Sequence, residues 1–228
     1  MIYELKETGR ASALFAGWQD SVVWSALQGV MGKIYVDSLE KPESGVAMLG
    51  DFCFLSGKPE SGVISGALGN SASEEVILVP QNDDWSQMIV ECYGEKAEKT
   101  VRYAIKKEPG IFDLKQLQKV TQSLPGEYEM KLIDQTLFEI CRDTQWSKDL
   151  TANYESYSQY REYGLGVCIL KDGEVVAGIS SYSGYGRRSD ENLGCHGGIE
   201  IEVVTREDHR RKGLAYIGAA RLLLECDK

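Results

Sequence analysis

The sequence predicts a mixed α/β (α+β) chain built in two parts, an N-terminal mixed α/β domain over residues 1–124 and a second domain over residues 125–228. Three observations carry that prediction. Near the C-terminus an alternating strand, Ile199 to Thr205, runs through a short charged loop into a helix, Leu214 to Cys226, rich in Ala and Leu. From Glu127 onward the apolar periodicity reads strand, helix, helix, strand, strand, strand, helix. Between the halves, Lys106 to Gly110 and Pro125-Gly126 supply the Pro/Gly punctuation that ends sheets and helices.

In chain order, residues 1–16 read as an irregular or short helical lead-in. Asp20 has the side chain to cap a helix over Ser21 to Met31, whose apolar stripe is Val22, Val23, Ala26, Leu27 and Val30. Lys33 to Val36, Val46 to Leu49 and Asp51 to Ser56 read as strands. Pro59 to Gly69 reads as a weak helix or a loop, and Glu75 to Val79 as a β-branched strand closed by Pro80. Asp83 or Asp84 is expected to cap a helix over Trp85 to Tyr93, with a strand at Thr100 to Ile105 and a helix after Asp113 up to Leu124. In the second half, Tyr128 to Ile133 is a strand, Asp134 caps a helix over Gln135 to Arg142, and a further helix is expected from Ser147 to Tyr163. Leu165 to Leu170 and Glu174 to Tyr182 form a hairpin around Lys171-Asp172-Gly173.

Composition bounds the function. The 228 residues carry a net charge of −10, which argues against nucleic acid or an anionic membrane as the main partner. No apolar run approaches the roughly 20 residues needed to span a bilayer, and the polar start MIYELKETGR is not a signal peptide. The six cysteines include no C-x-x-C pair, so no metal site is indicated, and free thiols in a reducing cytoplasm are the expectation.

The strand-to-helix turn is where chemistry is expected. Arg210-Arg211-Lys212-Gly213-Leu214-Ala215 lies directly after the strand and opens the helix. Main-chain N–H groups and the helix dipole converge there on an anion such as a pyrophosphate, and Gly213 lets it approach closely. Neither the Walker phosphate loop nor G-x-G-x-x-G is present at this turn. The pattern R-x-x-G-x-A instead resembles the acetyl-CoA signature Q/R-x-x-G-x-G/A of the GNAT superfamily of N-acetyltransferases. The order of elements from Glu127 matches the first two-thirds of that fold. Together with GDFCFLSGKP, LVPQNDDW, YAIKKEP and the SYS…GGIEIEVVTREDHRRKGLA region, it resembles the zwittermicin A resistance-type branch, in which a mixed α/β domain precedes the acetyltransferase domain.

The resemblance implies transfer of an acetyl group from acetyl-CoA to the primary amine of a small molecule by direct attack. It places the pyrophosphate on Arg211 to Ala215, with charge from Arg210, Arg211 and Lys212, and the pantetheine arm along Val203, Val204 and Thr205. An N–H of Val203 or Val204 is the candidate to stabilise the oxyanion of the attacked thioester. Glu202 and Glu200, two apart on one strand and so facing one way, are the candidate catalytic bases. The family's usual base falls one position earlier, at Ile199. His196 is a second candidate base, His209 reads as a packing residue, and Cys195 as a covalent nucleophile is the outlying alternative. Ser180 to Ser183 and the tyrosines Tyr154, Tyr157, Tyr160 and Tyr163 border the acceptor side in this reading, or simply pack. A non-catalytic acyl-CoA-binding or regulatory module and a protein-interaction domain are the rival readings. The family pattern continues past the helix of the acetyl-CoA motif. The chain is therefore read as a GNAT domain incomplete at its C-terminus, and either further chain or a second copy (a homodimer) is expected to cover the apolar helix and the open edge of its strand.

Overall fold

The computed structural model describes residues 2–71, 75–102, 110–186 and 198–227. The chain divides near residue 103 into two compact units.

The first unit is a five-stranded sheet in sequence order: β1 (Tyr3–Glu4), β2 (Lys33–Val36), β3 (Ser44–Leu49), β4 (Phe52–Gly57) and β5 (Ile77–Pro80). Every pairing is antiparallel except β4 with β5, which is parallel because α2 (Ser61–Asn70) crosses between them. Pro80 ends β5 at the sheet edge, where a missing N–H costs no ladder bond. All six residues of β3 are buried, as a strand covered on both faces must be. One face joins Val46, Met48, Cys53 and Leu55 to Val63, Ile64 and Ala67 of α2 and to Trp85. The Gly/Ser-rich stretch read as helix or loop is thus a helix, decided by three buried apolar side chains and not by its propensity. On the other face Phe54 meets Trp18 edge-on at 5.2 Å.

Asp20 caps α1 (Ser21–Leu27) by accepting from the Val22 N–H at 2.9 Å. The helix stops short of the expected Met31, and Gly29 and Gly32 both take positive φ beyond it. The cap of α3 (Asp83–Tyr93) is Asn82, whose Oδ1 accepts from Trp85 N at 3.1 Å; Asp83 and Asp84 lie instead in the first turn, where their negative charge is stabilised by the helix dipole's positive end. Thr100, Val101 and Arg102 are not in a strand, and the rest of the strand expected there lies outside the described residues.

The second unit is a four-stranded sheet, β6 (Tyr128–Leu132), β7 (Gly166–Lys171), β8 (Glu174–Tyr185) and β9 (Gly198–Thr205), again in sequence order. Asp172 and Gly173, both at positive φ, make the tight β7–β8 turn. On one face lie α4 (Leu114–Gln122) and α7 (Leu214–Cys226), which pack on each other and on Met130, Val167, Ile169 and Ile179. Helix α4, expected in the first domain, therefore sits with the second unit. It supplies the second apolar contact that α7 needs: Val120 packs on Ile217 and Ala220. Gly218 of α7 presses on Ile179, and a Cβ there would collide with the isoleucine's Cδ1. Gly218→Ala is expected to cost about 1–3 kcal/mol of stability, read as a lower denaturant midpoint at unchanged slope.

The opposite face carries α5 (Gln135–Asp143), a 3-10 turn at Lys148–Leu150 and α6 (Tyr157–Tyr163). The single helix expected over Ser147 to Tyr163 is thus divided. Arg142 is the physical reason: its guanidinium donates to the carbonyls of Thr151 (3.2 Å), Glu155 (3.3 Å) and Tyr154, holding residues 151–155 out of helical pairing. Ser156 then opens α6 by accepting from Gln159 N at 3.3 Å. The tyrosines read as an acceptor border are largely core. Tyr160 Oη meets Ser180 Oγ at 2.9 Å, Tyr154 Oη meets Ser181 Oγ at 2.6 Å, and burial pushes the Tyr160 phenol well above its ordinary pKa. Beside them the Cys141 and Cys168 thiols share a hydrogen bond at 3.7 Å, which together with burial drives the Cys168 pKa up.

Candidate active site

Strand β9 ends at Thr205 and the chain turns through Arg206, a 3-10 turn at Glu207–His209, and Arg210 to Gly213 before α7 begins. Arg211 and Gly213 both take left-handed φ, +60° and +77°, which curls this segment tightly. Gly213 is the N-cap of α7 and has no side chain to satisfy the helix's first-turn N–H groups. A Cβ built on Gly213 would meet no atom within 4 Å. The helix start is therefore an open donor surface at the positive end of a 13-residue helix, suited to an anion. Arg210, Arg211 and Lys212 are exposed around it, and Arg210 Nε donates back to the Thr205 carbonyl at 3.2 Å. Leu214 is buried, so only its main chain is available to a ligand.

Arg206 holds the turn in place. Its Nε and Nη2 donate to the two carboxylate oxygens of Asp208 at 2.8 and 3.1 Å, and its Nη1 donates to Glu174 Oε2 at 3.0 Å. The guanidinium keeps the exposed Asp208 carboxyl below its usual range, and the two carboxylates raise the pKa of Arg206. His209, read from sequence as packing, is buried under the turn. Its ring stands edge-on to Tyr128 at 5.7 Å, with Nδ1 3.0 Å from Tyr128 Oη and Nε2 3.2 Å from Arg206 Nη2.

The end of β9 lines a cleft of about 450 Å³ whose walls are Val203, Val204, Thr205, Arg206, Glu207, Arg210 and Trp146. Four of the residues singled out from sequence, Val203, Val204, Thr205 and Arg210, meet in this cleft. Gly213, Leu214 and Ala215 lie at the helix start beyond it. Ile199 packs with Val167, Ile179 and Leu222 on the α7 side of the sheet, so the pleat puts Glu200 and Glu202 on the opposite side, the one carrying α5 and α6. Both glutamates are half-buried and lie further back along β9, outside the cleft wall. Ser180 and Ser181 are occupied by the tyrosines of the core. His196 and Cys195 fall outside the described residues.

Sequence reasoning missed Arg206, Trp146 and Tyr128. Arg206 carried a readable signal, an arginine between a strand end and the acidic pair Glu207-Asp208. Trp146 is an aromatic in an otherwise polar connection after α5. Tyr128 carried none, because its partner is His209, 81 residues away. Among the described residues no cluster of His, Cys, Asp and Glu could hold a metal ion, and no helix is long and apolar enough to cross a membrane.

The family model for GNAT acetyltransferases matches residues 12–228. The crystal structure of a GCN5-related N-acetyltransferase-like protein from Streptococcus suis superposes with a TM-score of 0.82 at 42% sequence identity, covering 97% of this chain and 84% of that one. An uncharacterized N-acetyltransferase of Bacillus subtilis, YdfB, is 27% identical over 226 residues, covering 90% of this chain and 75% of the relative.

Proposed function

Because the chain belongs to the GNAT acetyltransferase family and is a GNAT-type N-acetyltransferase, we propose that it moves the acetyl group of acetyl-CoA to the primary amine of a small molecule by direct attack. The observation that carries this reading is the open, uncapped start of α7 at Gly213, placed at the end of β9 beside the cleft. A pyrophosphate suits that start: the first-turn N–H groups donate to it, and Arg210, Arg211 and Lys212 add charge. Arg206 is spent on Asp208 and Glu174, so it shapes the turn and leaves the anion to the later cations. From that anchor the pantetheine arm runs along Val203 to Thr205, and a main-chain N–H of Val203 or Val204 meets the developing oxyanion.

Attack forms the new C–N bond and breaks the C–S bond, and the amine's surplus proton must leave. Glu202 or Glu200 takes it, either directly or through water. Both lie on the face of β9 opposite Ile199 and further back along the strand than the cleft wall, so a water relay suits this reading best.

Calorimetry with CoA and acetyl-CoA, followed by thiol release across a panel of small amines, tests the reading. The wild type is expected to bind both and to release CoA with at least one amine. Glu202→Gln, or Glu200→Gln if the neighbour serves, is expected to lower kcat/KM about 10²–10⁴-fold with CoA affinity retained, the range for loss of a general base. Binding without turnover on any amine would make the protein a non-catalytic acyl-CoA module. Absence of CoA binding would end the reading.

A further inference from the structure

We propose that Tyr128, His209 and Arg206 form a hydrogen-bonded chain across one end of the second sheet that positions the anion turn, so that acyl-CoA affinity depends on a buried histidine that never touches the ligand. The inference rests on the proposed reading of that turn. The chain joins elements far apart in sequence. Tyr128 opens β6, at one edge of the sheet, and pairs with Lys171 at the end of β7. Glu174 opens β8, and Arg206 follows β9 at the opposite edge, where its N–H donates to Val176 O at 2.9 Å.

His209 is the connecting link. Its Nε2 lies 3.2 Å from Arg206 Nη2 and 3.4 Å from Asp208 Oδ2, and its Nδ1 shares a hydrogen bond of 3.0 Å with Tyr128 Oη. Both ring nitrogens are thus engaged. The same Arg206 grips Asp208 with two bonds and Glu174 with a third, so four of its five N–H groups are committed. Main-chain bonds finish the turn: His209 N donates to Arg206 O at 2.9 Å and Arg210 N to Glu207 O at 3.2 Å. Arg210 thus leaves the 3-10 turn in a set direction, and the left-handed residues Arg211 and Gly213 follow immediately. Beyond the hydrogen-bonded turn the segment leading to α7 is surface chain, with Arg210 to Gly213 all exposed. Its geometry is inherited from the chain beneath it. Binding that must first order a loop is weaker by that ordering cost, so freeing the turn is expected to weaken CoA without altering the reacting groups.

The test uses the full chain and three variants. Tyr128→Phe and His209→Phe remove hydrogen bonds while keeping the ring packing. Arg206→Lys breaks the two-bond grip of a half-buried side chain that lies outside the apolar core. For each, calorimetry with CoA is expected to show affinity about tenfold weaker, the loss of roughly one hydrogen bond's worth of positioning. KM for acetyl-CoA should rise in parallel, while for Tyr128→Phe and His209→Phe, which lie outside the cleft wall, kcat at saturation stays within about twofold. Hydrogen exchange at residues 210–216 should accelerate in all three. His209→Gln, which restores an acceptor for Arg206, should recover part of the affinity. Wild-type affinity and unchanged exchange in the variants would overturn the proposal, as would a fall in kcat with KM unmoved. Failure of the wild type itself to bind CoA sinks the reading of the turn and this inference with it. Wild-type binding that the variants do not disturb sinks the inference alone.

Discussion

Replacing Gly213 by valine is expected to weaken CoA binding by about 100-fold or more, a loss of about 2.7 kcal/mol. Two effects add. Gly213 sits at φ +77°, a conformation that costs an L-residue roughly 1–2 kcal/mol and a β-branched one more. A side chain there would also stand in the space over the helix start that the anion is to occupy, since no protein atom lies within 4 Å of an added Cβ. That empty space separates the binding effect from a folding effect. An added Cβ meets no protein atom, so the stability loss is the backbone strain, about 2 kcal/mol for valine, and the melting midpoint should fall by about 4–8 °C. Alanine at the same position should fall between wild type and valine. Calorimetry with CoA beside a thermal melt checks both halves, and a valine variant with unchanged affinity would remove Gly213 from the site.

Trp85→Ala is expected to be the most damaging single truncation in the first unit, at about 3–5 kcal/mol. The indole is fully buried in the cluster formed by β3, β4 and α2, and its Nε1 donates to Gly57 O at 2.9 Å. Removing it leaves a cavity among Val46, Leu55, Val63 and Ile64 and strips a carbonyl of its donor. Trp85→Phe should lose less, because most of the cavity is filled and only the hydrogen bond is gone. Chemical denaturation followed by far-UV circular dichroism reads the difference. A loss below about 1 kcal/mol for Trp85→Ala would mean the cluster is not the stabilising core of that unit.

Much of the second unit was legible because its signals are local. Asp113 and Asp134 were named as caps, and both accept from the N–H three residues on, at 3.1 and 2.9 Å. The Asp172-Gly173 turn and the bounds of α7 likewise follow from residues adjacent in sequence. Misreadings fell where a distant partner decides. The helix expected over Ser147 to Tyr163 has no internal breaker to see; Arg142, on the preceding helix, draws its carbonyls away. The weak stretch at Pro59 to Gly69 became a helix because β3, β4 and α3 give Val63, Ile64 and Ala67 somewhere to be buried. The cap of α3 went to Asn82, whose side chain reaches Trp85 N, although three polar residues in a row offered the same chemistry.

The sequence by itself determined the family and the strand, turn and helix at its centre. A glycine at a helix start, preceded by basic residues and a β-branched strand, admits few structures, since only there are φ above zero and uncapped N–H groups needed together. Tertiary structure alone decided what holds that turn and what surrounds it. Trp146 enters the cleft from another element, Arg206 finds Glu174 across a strand, and His209 finds Tyr128 across the sheet. Helix α4, assigned by its position in the chain to the first domain, instead packs on α7. Hydrogen bonds and apolar contacts between distant residues leave no periodic trace along the chain, because pattern and propensity report only neighbours within a few turns, whereas packing is settled by which faces meet once the elements have formed.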